Sequence, residues 1–235
     1  MVILHPDNGR ATAVDWLTLD EQDWDGQRKL LGTIRRDIDG AGPPGRVSSS
    51  LHAAHTRAGV ATLTQWSSPA DLYAHYDSAA HRDELLRQGG LATGNRLLAT
   101  ELVSVQQAPA VVGAVDITPA RDDWTSIAIQ WVVPQDQDAL VTELTRPRDE
   151  WVHLLPGYRS HSVLRGLDGT FVINYAQWES EEAYWAFHDV PEQEWPLDVR
   201  ESRDRARKLT RSWEYNTFRV VHSRTTEEPR ASAEG

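Results

Sequence analysis

The stretch FVINYAQWESEEAYWAFHD, residues 171–189, runs from an apolar strand pattern straight into an acidic, aromatic helix pattern. It has a twin, GVATLTQWSSPADLYAHYD, at residues 59–77. Gln65-Trp66 aligns with Gln177-Trp178 and Asp77 with Asp189, all at an offset of 112 residues (177 − 65). Self-similarity of this length at one fixed offset means two copies of one structural unit.

Outward from the twins, both copies read in the same order. In the first, residues 11–19 are a strand and 22–38 show helical apolar spacing. GAGPPG is a loop, 46–55 and 59–66 are paired strands, 68–89 is helical, and 95–105 closes the unit as a strand. The second copy has a strand at 124–133 and a helix over 137–154, interrupted near Pro147. A hairpin over 158–178 turns near Asp168-Gly169. A helical segment follows from Glu181, with Ser180 as its N-cap and two acidic residues in its first turn, and 213–223 is the last strand. Each half is therefore β-α-β-β-α-β, the ferredoxin-like order. One such sheet has a helix-covered face and a free face, and two copies can bury their free faces together. The predicted fold class is α+β, with two tandem ferredoxin-like repeats, 10–107 and 121–223, packed sheet to sheet as a pseudo-dimeric α+β barrel. Residues 106–123, rich in Pro, Gly and Ala, read as a linker, and 224–235 as a disordered tail.

The composition is that of a soluble globular chain, with 235 residues, 40% hydrophobic and 25% charged. No apolar run approaches 18 residues, so no membrane span is expected, and the opening MVILHPDNGR does not read as a signal peptide. The absence of cysteine removes disulfides, thiolate metal sites and a cysteine nucleophile, and fits the cytoplasm. A net charge of −11 argues against nucleic acid as a partner. The basic run at 200–211 has acidic residues mixed in and reads as a solvated helix face. Ten tryptophans suit either an aromatic core or a cavity for a flat aromatic ligand.

Alternation along the strand puts Val172, Asn174, Ala176 and Trp178 on one face. An unpaired buried amide costs about 1–3 kcal/mol, so Asn174 needs a partner. That partner is either the protein's own backbone or a ligand oxygen. The repeat tilts the choice: Trp66 and Trp178 recur, but Asn174 corresponds to Thr62 and Tyr184 to Leu72. A feature present in one copy alone points to a pocket in the second half. His161 shares the face of Asn174 if the hairpin turn has an even number of residues, which makes it a reserve base. Tyr184 and His188 are four apart and share a helix face. His52 and His55 point to opposite faces of a strand and do not form a metal pair. HExxH, P-loop and GxSxG motifs are missing, and GAGPPG at 40–45, which has the GxGxxG spacing, reads as a loop from a helix into a strand and not as a strand-to-helix nucleotide turn, so zinc, ATP, NAD and a hydrolase nucleophile have nothing to rest on.

LPGYRSHSVLRGLDGTFVINYAQWESEEAYWAF, with its P-G, its D-G hairpin, N-Y-x-Q-W and the W-E-S helix entry, resembles the antibiotic biosynthesis monooxygenase family. The likeness is strong over about 154–188 and weaker over the first half. It implies a dimeric α+β barrel, here with two fused units. It also implies that a member acting on aromatic polyketides oxidises an anthrone-type phenol to a quinone with O2, without metal, flavin or haem. By motif position, the resemblance makes Asn174, Trp178 and Tyr184 the catalytic set. Further substrate contacts are expected at His161, Trp185, Arg200 and Trp66, with no metal site. Asn174 would stabilise an oxyanion, Trp178 would stack on the ring system, and Tyr184 would donate a proton. The same fold and cavity would also serve a cofactor-free cyclase or isomerase, or a non-catalytic binding protein. The expected assembly is a monomeric pseudo-dimer or a homodimer.

Overall fold

Eight of the strands pair in succession around a ring and close on themselves. The computed structural model describes residues 2–6, 9–146, 151 and 154–226. The first repeat comprises β2 (Ala11–Thr18), α1 (Trp24–Asp39), β3 (Arg46–Ala54), β4 (Gly59–Trp66), α2 (Pro69–Tyr76), α3 (Ala79–Gly89) and β5 (Gly94–Gln107). The second comprises β7 (Trp124–Trp131), α4 (Gln137–Thr145), β8 (Tyr158–Gly166), β9 (Phe171–Trp178), α5 (Glu181–His188), α6 (Leu197–Leu209) and β10 (Ser212–Thr225). Around the barrel the order is β10-β3-β4-β2-β5-β8-β9-β7. Each repeat therefore keeps its ferredoxin-like sheet. The long last strand of each repeat, β5 or β10, pairs with the second strand of the other, β8 or β3. The two sheets face each other as expected, and their edges are also stitched together, which leaves no open edge to aggregate.

Inward-facing residues of both repeats form one core: Val14, Trp16, Leu63 and Leu98 from the first, Ile127, Ile173, Tyr175 and Phe218 from the second. The Trp16 and Phe218 rings meet edge to face at 5.4 Å. His52 of β3 crosses the same core, fully buried. Its Nδ1 lies 3.3 Å from the Ala61 carbonyl and must carry the proton, so Nε2 accepts from the Tyr175 hydroxyl at 3.0 Å. Burial lowers the His52 pKa from 6.5 to about 4. A depressed pKa favours the neutral ring in the fold. Its stabilising contribution is complete above pH 6.5 and is lost as pH falls through about 4, a difference of roughly 3 kcal/mol. The urea midpoint should fall as pH is lowered across that window, and less steeply in His52→Gln. An identical pH dependence in His52→Gln would show that another group is responsible.

The 106–123 segment does more than link. β6 (Asp116–Ile117) pairs with β1 (Val2–Ile3), and Val2, Leu4, Val115 and Ile117 join the barrel core. This ribbon explains the repeated glutamine. Gln65 accepts from Ser48 and donates to the Ile3 carbonyl; Gln177 accepts from Ser160 and donates to the Asp116 carbonyl. Ile3 and Asp116 are themselves paired, so both glutamines hold the plug by the same pattern. The glycine of each Pro-Gly, Gly45 and Gly157, has φ of +80° and +74° and accepts from the residue after each tryptophan. A Cβ on Gly157 would lie 2.5 Å from the Ala183 Cβ, so only glycine lets α5 dock there.

Two boundaries differ from expectation. The 68–89 helix is two helices, because Ser78 caps a new one by accepting from His81 N–H. The helix from Gln137 ends at Thr145, since Arg146 takes the polyproline-like conformation (φ −53°, ψ 133°) that a following proline favours. Pro147 itself and the tail beyond 226 lie outside the described residues. Among the described residues, no helix is long and apolar enough to cross a membrane.

Candidate active site

The outer faces of the two sheets lie under the helices, and there the repeats diverge. In the second sheet Tyr215, Ala128 and Asn174 stand side by side across β10, β7 and β9. These three and Ser126 are half-buried, while the inward neighbours Ile127, Ile173 and Tyr175 are fully buried. The half-burial of these four, with small side chains at 126 and 128, marks a shallow opening under the helices, the candidate cleft. The Asn174 Oδ1 is buried with no hydrogen-bond partner. Tyr184 roofs the cleft from α5, and its hydroxyl shares a hydrogen bond with Ser126. Burial pushes that hydroxyl up to about 12, with the nearby Tyr215 adding to the shift. Tyr184 is therefore a neutral proton donor, not a base. His188, one turn on, lies 4.3 Å from the Tyr184 ring. Burial and the Arg203 charge lower its pKa. Trp213, stacked on Tyr215 at 5.1 Å and well exposed, extends an aromatic wall beyond the cleft.

The other expected residues fall as follows. Trp178 is 3% exposed, with the Phe187 ring stacked on it at 5.3 Å and Tyr158 edge-on at 5.1 Å. Its face is taken by its own protein, so it supports the cleft wall instead of stacking on a flat ligand. The hairpin loop has four residues, 167–170, so His161 does share the face of Asn174. Its ring nitrogens are engaged, one by the Tyr158 hydroxyl at 2.9 Å and one by the Leu144 carbonyl at 3.3 Å, which leaves it no free site for a substrate proton. Trp185 is 40% exposed and meets Tyr184 edge-on. Arg200 lies on α6 with a buried Nε lacking a partner, one turn before Arg203, whose guanidinium covers Trp195. Trp66 is on the other sheet and does not reach this cleft.

The equivalent space in the first repeat is filled. Asp15 pairs with Thr62 as Ala128 pairs with Asn174. The Thr62 and Tyr76 hydroxyls both donate to the Asp15 carboxylate, at 2.7 and 2.9 Å. Burial raises the Asp15 pKa, and these bonds offset part of that rise. Trp66 stacks on His75 at 4.9 Å, and His75 and His81 both face Glu84. Burial alone would raise the Glu84 pKa, but bonds to the two histidines outweigh it and hold the group at about 2. A cavity of only about 60 Å³ is left. Sequence reading missed this cluster. A lone charge at Asp15 inside an apolar strand was the available signal, of the same kind as Asn174. A larger cavity, about 560 Å³, lies between residues 108–116 and 154–160. Its lining includes neither Asn174, Trp178 nor Tyr184, and its Arg121 is paired with Asp116 and Asp123.

No family model matches the chain. It is 33% identical over 75 residues to tetracenomycin-F1 monooxygenase of Streptomyces glaucescens, which is 32% of this chain and 67% of that protein. Along its whole length it is similar to an anthrone oxidase-like protein of known crystal structure, with 31% identity, 99% of this chain and 100% of the other covered, and a TM-score of 0.86. A Lactobacillus acidophilus protein shares the fold alone, at 11% identity and a TM-score of 0.55 over 92% of this chain and 96% of that one.

Proposed function

This chain belongs to the antibiotic biosynthesis monooxygenase family, and we propose that it oxidises an anthrone-type aromatic polyketide to the quinone with O2 and no cofactor. The observation that carries this reading is the half-buried Asn174 amide, its oxygen unpartnered, in an aromatic cleft beside the neutral Tyr184 hydroxyl. O2 reacts slowly with closed-shell molecules because of spin. An electron-rich enolate overcomes this by giving O2 one electron, and the superoxide formed recombines with the substrate radical at the same carbon. The resulting peroxide takes a proton and loses water, so CH2 and O2 become C=O and H2O with no outside reductant. The protein holds the flat anion, stabilises its oxygen and limits water.

In this reading the unpartnered Asn174 Oδ1 accepts from a phenol hydroxyl of the substrate, and its N–H2 donates to the enolate oxygen. Tyr184 protonates the peroxide, and Trp185, Trp213 and Tyr215 flank the ring system. Arg200, whose buried Nε has no hydrogen-bond partner, would balance the substrate's negative charge. His188, kept neutral by burial, is able to accept the first proton, a role His161 lacks. O2 uptake with an anthrone should match quinone formation one to one. Tyr184→Phe should lower kcat about tenfold, below the 10²–10⁴ range of a sole general acid, because water reaches the half-buried cleft. Product formed without O2 consumption would favour a cyclase or isomerase, and tight binding without turnover a binding protein; either overturns the proposal.

A further inference from the structure

The filled cavity of the first repeat has a chemistry of its own. The His75 Nε2 lies 3.4 Å, and the His81 Nδ1 3.3 Å, from the same Glu84 oxygen, and all three ligand atoms lie within 4.8 Å of one another. We propose that His75, His81 and Glu84 form a binding site for a divalent transition metal of the zinc type, which fastens α3 to α2. Four-coordinate zinc has bonds of about 2.0–2.2 Å, which sets ligand atoms about 3.3–3.6 Å apart along a tetrahedral edge. The two nitrogen-to-oxygen separations fall in that range before any adjustment. Two imidazoles and one carboxylate suit zinc, nickel, copper or iron and not magnesium or calcium, which take oxygen ligands.

The surroundings support a built site. The His75 ring is held against Trp66, and the His81 ring lies edge-on to Tyr76 at 4.5 Å. The carboxylate of Asp15 is buried close enough for both histidines to act on it electrostatically. The cavity of about 60 Å³ is lined by these three residues, Asp15, Thr62 and Trp66, and has room for a water as fourth ligand. There is also something for a metal to do. No residue of α3 is fully buried, so apolar packing holds this helix down only weakly. A cross-link from His75 on α2 to His81 and Glu84 on α3 adds a restraint to the exposed Arg87–Asp37 ion pair that ties α3 to α1. The site is in the other repeat from the cleft and takes no part in the oxygen chemistry proposed above.

The test uses the full chain, with any polyhistidine tag removed and metal stripped by a chelator, titrated with Zn²⁺ by calorimetry and with Co²⁺ by visible absorption. The expected result is one equivalent per chain, with the intense d–d bands of tetrahedral cobalt. Zn²⁺ at a hundredfold excess over its Kd should raise Tm by several degrees. His81→Ala should weaken binding at least about tenfold, since even groups behind metal ligands contribute that much. Glu84→Gln, which keeps the shape, should do the same and serves if His81→Ala does not fold. O2 uptake should survive chelation. Lack of saturable Zn²⁺ binding, or binding unchanged in both variants, would overturn the proposal.

Discussion

Asn174→Ala is expected to lower kcat for O2-dependent turnover by roughly 10²-fold or more, the range seen when an oxyanion donor is removed. Asn174 is half-buried and its Oδ1 has no protein partner, so no described hydrogen bond is lost at that atom and the fold should survive. The matched control is Thr62→Ala, at the equivalent position of the first repeat, which should leave kcat nearly unchanged. Thr62 donates to the buried Asp15, so its loss should cost about 1.5–3 kcal/mol of stability, and folding must be checked before rates are compared. Equal losses of kcat in the two folded variants, or a loss in Thr62→Ala alone, would place the activity in the wrong repeat.

Phe218→Ala should destabilise the whole molecule by about 3–5 kcal/mol, the usual cost of deleting a buried phenylalanine. Phe218 belongs to the second repeat, is 1% exposed, and packs on Trp16 and His52 of the first. Because its β10 also pairs with β3 across the repeat boundary, the loss should be felt in both halves. Tryptophan fluorescence and far-ultraviolet circular dichroism should still follow one coincident transition, at lower denaturant. Two separate transitions in the wild type would contradict a core shared between repeats.

Among the site residues, position was easier to read than role. Strand parity correctly grouped Asn174, Ala176 and Trp178, and helical spacing brought Tyr184 onto His188. Roles depend on what else arrives. The ring faces of Trp178 and the nitrogens of His161 are engaged by Phe187, Tyr158 and Leu144, which local periodicity does not bring to them. The cleft itself depends on Ala128 being small, a property of a strand 46 positions upstream of Asn174 (174 − 128) that matters only through its register with Asn174.

The repeat at an offset of 112, the order of elements in each half, the strand faces and the α+β class were all set by local pattern, because alternation and helical spacing act over a few residues. The repeat also pointed to a pseudo-dimeric barrel, but which strands close it was not legible, since that requires β10 to find β3 and β5 to find β8, far apart in sequence. Nor was the plug at the barrel end, where a stretch rich in Pro, Gly and Ala pairs with the N-terminal strand and receives the hydrogen bonds of two repeated glutamines. The same holds for the difference between an open cleft and a filled one: Asp15 closes the first repeat's space only because Thr62, Tyr76 and Trp66 converge on it from other elements. Local pattern decides which way a side chain points, and tertiary packing decides what it meets there.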